Sequence, residues 1–302
     1  MNANPSVRHA VDWGALAPLR LRAREVAEGA FTASHRSARR GAGVEFGGFR
    51  EYVRGDDLRW LDRRSLLRHE RLVIRQFETE TDRALCLLVD ASASMGFRGP
   101  DAPGAKLAFA SIVAAALARI ALRGGDPVSL SFIGAEECAA PVPRSASGEQ
   151  FDRVVASLDA VRSGGDAYAD PAMLGRALHT LAQRTRRGAV VVVLSDLLDA
   201  PDGSAEKVAA LASRGCVLSV VQVLDAAEIE LPYRGTVRLR ALEGGAEVET
   251  DADGSRAEYI AKLGEITGSW ERAVMRRGGR FLRANTAHNP VEVVRTILER
   301  LR

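Results

Sequence analysis

The 302-residue sequence predicts an α/β fold: a mostly parallel sheet with helices on both faces, preceded by an Arg-rich N-terminal extension. Three observations predict it. From residue 84 onward, apolar runs of strand length alternate with helix-length segments over short connections, the signature of successive parallel β-α units. Two of those runs, "ALCLLV" at 84–89 and "AVVVVLS" at 189–195, are almost unbroken in apolar character, as strands covered on both faces are. Residues 1–83 differ in texture, with sixteen Arg against twelve acids and several glycines. The expected division is therefore an extension over 1–83, packed on a main domain over 84–302.

In the extension, Leu16, Leu19, Ala23, Val26, Ala27 and Ala30 recur at helical spacing and predict an amphipathic helix. Glycines at 41, 43, 47 and 48 then interrupt the pattern. Past Gly55, "DDLRWLDRRSLLRH" predicts a short helix with Asp56 as its N-cap and acids in the first turn, where the helix dipole favours them. A strand follows at 71–77. In the main domain the strand at 84–89 leads to an Ala-rich helix at about 105–122, a strand at 127–134 and a second strand at 137–142. Helices are expected near 148–160 and 171–186, then the strand at 189–195, a short helix at 204–213 and a strand at 216–224. Residues 236–250 read as a hairpin around Gly244-Gly245. A long helix at about 254–276, a strand at "RFLRA" and a helix from 290 complete the chain.

Composition is that of a globular protein, with 46% hydrophobic and 27% charged residues. The net charge of +3 is too small to point to a polyanionic partner. Basic residues are almost all Arg, with Lys only at 106, 207 and 262. Cys86, Cys138 and Cys216 sit singly in or beside apolar runs, as small buried hydrophobes do, and no CxxC pair suggests zinc or redox chemistry. The start "MNANPSVRHAVDW" lacks the apolar core of a signal peptide. The most apolar stretch, 107–122, is shorter than the roughly 20 residues that span a bilayer. These features predict a cytoplasmic protein without membrane insertion.

The stretch "LLVDASASMG" at 87–96 drives a buried strand into Asp90, Ser92 and Ser94. A second aspartate, Asp196, ends the later strand in "VVVLSD". In open α/β sheets, ligands sit outside the carboxyl ends of central strands, so both carboxylates are expected in one crevice. Two carboxylates about 4 Å apart repel by about 4 kcal/mol at an effective dielectric of 20, which favours either a retained proton or a cation between them. The serine hydroxyls are hard oxygen ligands and favour the cation. Mg²⁺ takes about six oxygens, few of them carboxylates. One direct carboxylate, two hydroxyls and a more distant carboxylate suit it, and the position left open is one that a partner's carboxylate can fill.

"VDASASMG" resembles the metal-ion-dependent adhesion site motif of von Willebrand factor A-type domains, Asp-x-Ser-x-Ser. The resemblance implies a Rossmann-like fold, with Asp90, Ser92, Ser94 and Asp196 around a Mg²⁺ ion (or Mn²⁺ or Ca²⁺). Such domains supply a Thr from a third loop. Here that loop is "SGGDAYADP" at 163–171, which has no Thr; Asp166 takes the approximate place. The extended pattern "HRS…G…EF…REY…GDD.R.LD", followed by "R.F.TE" and the Asp-x-Ser-x-Ser strand, is similar to the bacterial family called domain of unknown function 58. Arg63 stands where that family usually has a Trp, with Trp60 just upstream. The resemblance implies work alongside a MoxR-type AAA+ ATPase in assembling or maturing protein complexes.

The function expected from the sequence is a non-enzymatic, metal-dependent adaptor that binds a protein partner through an Asp or Glu. A metal-dependent hydrolase or phosphotransferase using Asp90 is the first alternative, but no His, Cys or phosphate loop stands near the strand ends. Nucleic-acid binding through the Arg-rich region is the second. It is opposed by a surplus of 16 − 12 = +4 over residues 1–83 and by the mixing of both signs along them.

Overall fold

The computed structural model describes residues 26, 27, 30, 45–51, 73–78, 84–134, 140–166, 170 and 172–301. The short helix predicted after Gly55, with Trp60 and Arg63, lies outside them, as does Cys138. The chain divides into two units, residues 35–82 and residues 1–34 with 83–302. In the smaller unit, β1 (Glu45–Glu51) pairs antiparallel with β2 (Val73–Glu78). β2 matches the predicted strand. β1 falls where the glycines read as a break; its register is irregular between Phe46 and Gly48, so an extra residue is absorbed as a bulge within the strand.

The larger unit is built on a six-stranded sheet. Its strands are β3 (Leu85–Ala91), β4 (Val128–Gly134), β5 (Val142–Ser145), β6 (Val190–Ser195), β7 (Val217–Leu224) and β10 (Arg280–Asn285). The order is β10-β7-β6-β3-β4-β5, parallel throughout except for the edge strand β5, which runs antiparallel to β4. β5 begins where the predicted 137–142 strand was expected to end. The remaining strands, β8 (Thr236–Arg240) and β9 (Glu247–Asp251), form the hairpin anticipated at Gly244-Gly245. Both glycines adopt positive φ, 69° and 65°, where a side chain would strain the turn.

Alternation along each strand sends side chains to two cores. Leu87 and Val89 of β3, with Leu194 of β6 and Val221 of β7, belong to one. Over that face lie α1 (Lys106–Arg123), α2 (Gln150–Ala160) and α7 (Pro290–Arg300), together with Val26, Ala27 and Ala30, the described part of the first predicted helix. Cys86 and Leu88 of β3, with Val191 and Val193 of β6, belong to the other core. It is covered by α3 (Met173–Arg184), α4 (Ser204–Ser213) and α6 (Ala252–Arg276). The fold is therefore the α/β architecture read from the sequence. α1 is buried along most of its length, its alanines included. A short helix, α5 (Ala226–Glu230), had no sequence prediction; Asp225 and Glu228 close it with a reciprocal capping box.

This strand order fixes the crevice. The chain leaves β3 for β4 and β5 on one side, then returns to β6 on the other. The carboxyl ends of β3 and β6 are thus the point where strand order reverses.

Candidate functional site

Asp90 is the sixth residue of β3 and is buried. Its Oδ1 accepts the backbone N–H of Ser92 at 2.9 Å, and its Oδ2 accepts the Ser195 hydroxyl at 2.5 Å. The first bond curls the loop back over its own strand, as a short acidic side chain does at a turn. Ser92 and Ser94 then turn their hydroxyl oxygens toward one another, 3.1 Å apart. Gly134, at the end of β4, permits this close approach. An added Cβ would meet the backbone of Ser92 and of Gly164 at 3.0 Å, and its φ is +66°.

The third loop arrives where the sequence placed it. Gly164 N donates to Ala91 O at 2.8 Å, and Ala93 N to Gly165 O at 3.3 Å. Asp166 on that loop accepts Gly244 N at Oδ2, 2.9 Å away. It is not among the residues lining the recess described below.

Asp196 follows the last residue of β6, and its carboxylate is occupied differently from Asp90's. Oδ2 accepts the ammonium of Lys106 at 2.7 Å, and Oδ1 accepts Leu198 N at 3.2 Å. Ser195, the preceding residue, faces Asp90 and accepts Leu197 N on its hydroxyl at 3.0 Å. Leu197 is held at φ 64°, uncommon for a residue with a side chain, and its burial against the second core holds it there. Lys106 also donates to Glu228 Oε1 at 2.6 Å. It opens α1, where the helix dipole opposes a cation, so this ion-pair geometry has to stabilise it.

Asp90, Ser92, Ser94, Ser195, Asp196 and Glu243 share a recess of about 40 Å³, room for roughly three waters. Its floor and wall include Ile133, Val193 and Trp270. Burial pushes the Asp90 carboxyl up to about 7, helped by the neighbouring charge of Asp196 and opposed by the bonds from Ser195 and Ser92. Burial alone would lower the Lys106 ammonium, but Asp196 and Glu228 outweigh it and hold it above its ordinary value. Burial raises Glu228 despite the ammonium beside it.

Four of these groups carried no sequence prediction: Ser195, Glu228, Glu243 and Lys106 in this role. Lys106 left one trace, being one of three lysines in an Arg-dominated chain. Asp225 was missed as well. It is a third strand-end aspartate, accepting Gly99 N at 3.2 Å and the Thr286 hydroxyl at 3.0 Å on Oδ2, and thereby ties the loop before α1 to β7.

The oxygen set can be tested against a divalent cation. With Mg–O bonds of about 2.1 Å, neighbouring oxygens of an octahedron lie about 3.0 Å apart, and the Ser92–Ser94 hydroxyl pair matches that separation. Asp90, Asp196 and Glu243 line the same recess, and the Lys106 ammonium pairs with Asp196 and with Glu228. Among the described residues no three His, Cys, Asp or Glu gather as a metal-holding group. The donors that fit are Asp90 with two hydroxyls, and Asp196 stands back on Lys106.

The family described as "Protein of unknown function DUF58" matches residues 48–265. The chain belongs to that family. The uncharacterized protein Rv1480 of Mycobacterium tuberculosis is 30% identical over 254 residues, 82% of this chain and 76% of its own length. Among solved structures, an aerotolerance-related membrane protein from Bacteroides fragilis is 17% identical, covering 72% of this chain and 98% of that one, with a TM-score of 0.44. The SpRpn10 VWA domain is 12% identical, covering 70% and 93%, with a TM-score of 0.33. The cytoplasmic location read from the sequence is corrected by these findings, because a similar structure belongs to a protein named as a membrane protein. No described helix is long and apolar enough to cross a membrane, and that absence does not place a DUF58 chain in the cytoplasm.

Proposed function

We propose that this DUF58 chain is a protein-docking module that depends on a divalent cation and binds without turnover. Asp90, Ser92 and Ser94 would hold the ion, with Asp196 set back on Lys106, and Mg²⁺ suits this all-oxygen set. The ion supplies a positive centre for an Asp or Glu of a partner. The observation that carries the reading is the convergence of the two serine hydroxyls, 3.1 Å apart, beside a buried carboxyl. Lys106 keeps Asp196 satisfied, so that Asp90 is the carboxylate available to the ion. The family resemblance names a MoxR-type AAA+ ATPase as the protein it works with, in assembling or maturing other complexes.

The test is affinity capture of a MoxR-type ATPase on the full chain, in Mg²⁺ and in EDTA, with Asp90→Ala alongside. Capture by the wild type in Mg²⁺ alone supports the proposal. Equal capture in EDTA, or by Asp90→Ala, overturns it. Turnover of a phosphate ester that vanishes in Asp90→Ala would replace docking with hydrolysis.

A further inference from the structure

A lysine is an unexpected first residue for α1. The helix is buried from Lys106 through Ala118, and an ammonium at its start opposes the helix dipole. Apolar side chains in place of a buried ion pair are often neutral for stability or better. Burying this charge therefore calls for a use besides holding the fold. The ammonium is held from three sides. Asp196 Oδ2 accepts it at 2.7 Å, Glu228 Oε1 accepts it at 2.6 Å, and the centroid of the Phe97 ring lies 5.8 Å away. Glu228 is itself fixed, because its Oε2 accepts Asp225 N at 2.9 Å in the cap of α5.

Lys106, Glu228 and Phe97 do not line the recess, whereas Asp196 does. Asp196 is thus held from behind, with Oδ2 on the ammonium and Oδ1 on Leu198 N at 3.2 Å. Asp90, on the neighbouring strand, meets neutral donors, Ser92 N and the Ser195 hydroxyl. A carboxylate has about four lone-pair sites, so Asp90 can keep both donors and still offer a lone pair to an ion. Asp196 would have to leave an ammonium to do the same. The number of carboxylates in the shell bears on which ion fits. Mg²⁺ takes about six oxygens at roughly 2.1 Å, keeps several waters and uses one or two carboxylates, while Ca²⁺ takes about six to eight at longer distance and accepts more of them.

We propose that Lys106 is a positioning residue that sets the ion preference of the site: it keeps Asp196 out of the coordination shell, so that of the two strand-end aspartates Asp90 alone coordinates directly, and it thereby selects Mg²⁺ over Ca²⁺. The inference rests on the cation reading above and adds which ion the site accepts and why. Each carboxylate that enters the shell cancels one unit of the ion's charge, and with it part of the pull on a partner's acid. Lys106 therefore also preserves the attraction on which docking depends, from a position outside the recess.

Two readouts on the full chain test it. Calorimetric titration with Mg²⁺ and with Ca²⁺ gives the preference. Tb³⁺ emission, sensitised through Trp270 on the recess wall, counts the waters left on the bound ion from its lifetimes in H₂O and D₂O. The wild type should bind Mg²⁺ more tightly than Ca²⁺; if it binds neither, the cation reading falls and this inference with it. In Lys106→Met, Asp196 is free to turn in, so Ca²⁺ should gain about tenfold or more on Mg²⁺, and Tb³⁺ should hold about one water fewer. Adding Asp196→Asn removes the carboxylate that turns in. Both readouts should then return to wild-type values, which a merely structural effect of losing the lysine would not produce. Asp196→Asn alone keeps Lys106 in place and should leave the Tb³⁺ water count unchanged, a measurement that does not require Lys106→Met to fold. A wild type that prefers Ca²⁺, an unchanged ratio in folded Lys106→Met, a double variant that keeps the altered ratio, or an extra water in Asp196→Asn each overturns the inference while the cation site stands.

Discussion

Lys106 Nζ and Asp196 Oδ2 lie 2.7 Å apart, and neither side chain reaches water, at 0% and 2% exposure. Ninety positions separate the two residues. The pair joins the first residue of α1 to the end of β6, and through Glu228 it reaches α5 as well. A cation at a helix start is poorly placed for that helix, so the pair's value lies in holding three elements together.

Removal of that ammonium should be expensive. Lys106→Met leaves the buried Asp196 and the part-buried Glu228 without their counter-charge, and the loss expected is about 3–5 kcal/mol. Urea unfolding measures it. Adding Asp196→Asn to Lys106→Met should recover part of the loss, so the double-mutant cycle should be non-additive. Strict additivity would show that the two side chains do not interact energetically.

Asp90 predicts a pH dependence in chelator. Its carboxyl is raised from 3.8 to about 7, so between those values the folded chain holds a proton that the unfolded chain has released. The contribution is therefore fully present below about pH 4, falls as pH rises, and is gone above about 7, at most about 4 kcal/mol in all. Asp90→Asn should abolish this slope and be more stable than the wild type at pH 8 in EDTA. Chemical denaturation across pH 4–8 checks both, and a wild-type slope that persists in Asp90→Asn would assign it to another group.

The serine hydroxyls and Asp166 should separate on metal titration. Ser92→Ala and Ser94→Ala should each weaken Mg²⁺ binding by about tenfold or more. Asp166→Asn should change it little, because Oδ2 of Asp166 accepts Gly244 N and the residue does not line the recess. Isothermal calorimetry at pH 8 decides, and a loss in Asp166→Asn equal to that in Ser94→Ala would move Asp166 into the ligand set.

Stability should reside in the sheet and not in the hairpin. Leu88→Ala, at a fully buried position of β3, should lose about 2–5 kcal/mol. Val248→Thr on the exposed hairpin should stay within about 0.5 kcal/mol of wild type. Comparable losses at the two positions would mean that the hairpin is an integral part of the core.

Much of this could be read directly from residue order. Continuous apolar runs at 84–89 and 189–195 became neighbouring central strands, and alternation within them divided Leu87 from Leu88 between two cores. Asp90, Ser92 and Ser94 were visible as a motif, and Asp196 as its counterpart on a later strand. β1 escaped notice because its glycines look like a break in periodicity, while ladder pairing tolerates them through a bulge. α5 escaped because five residues carry too little periodicity to register.

What the sequence by itself determined is therefore local: which segments form strands or helices, and which strand ends carry oxygen-bearing side chains. Those properties follow from side-chain period and backbone preference over a few residues. Only the tertiary structure decided that Lys106 neutralises Asp196, that Ser195 faces Asp90, and that Glu243 enters the recess from a hairpin 149 positions beyond Ser94. Such pairings depend on strand order and on which loops the sheet gathers at one end. A charge chooses its partner by distance in space, and residue order does not encode that distance until the crossovers are made.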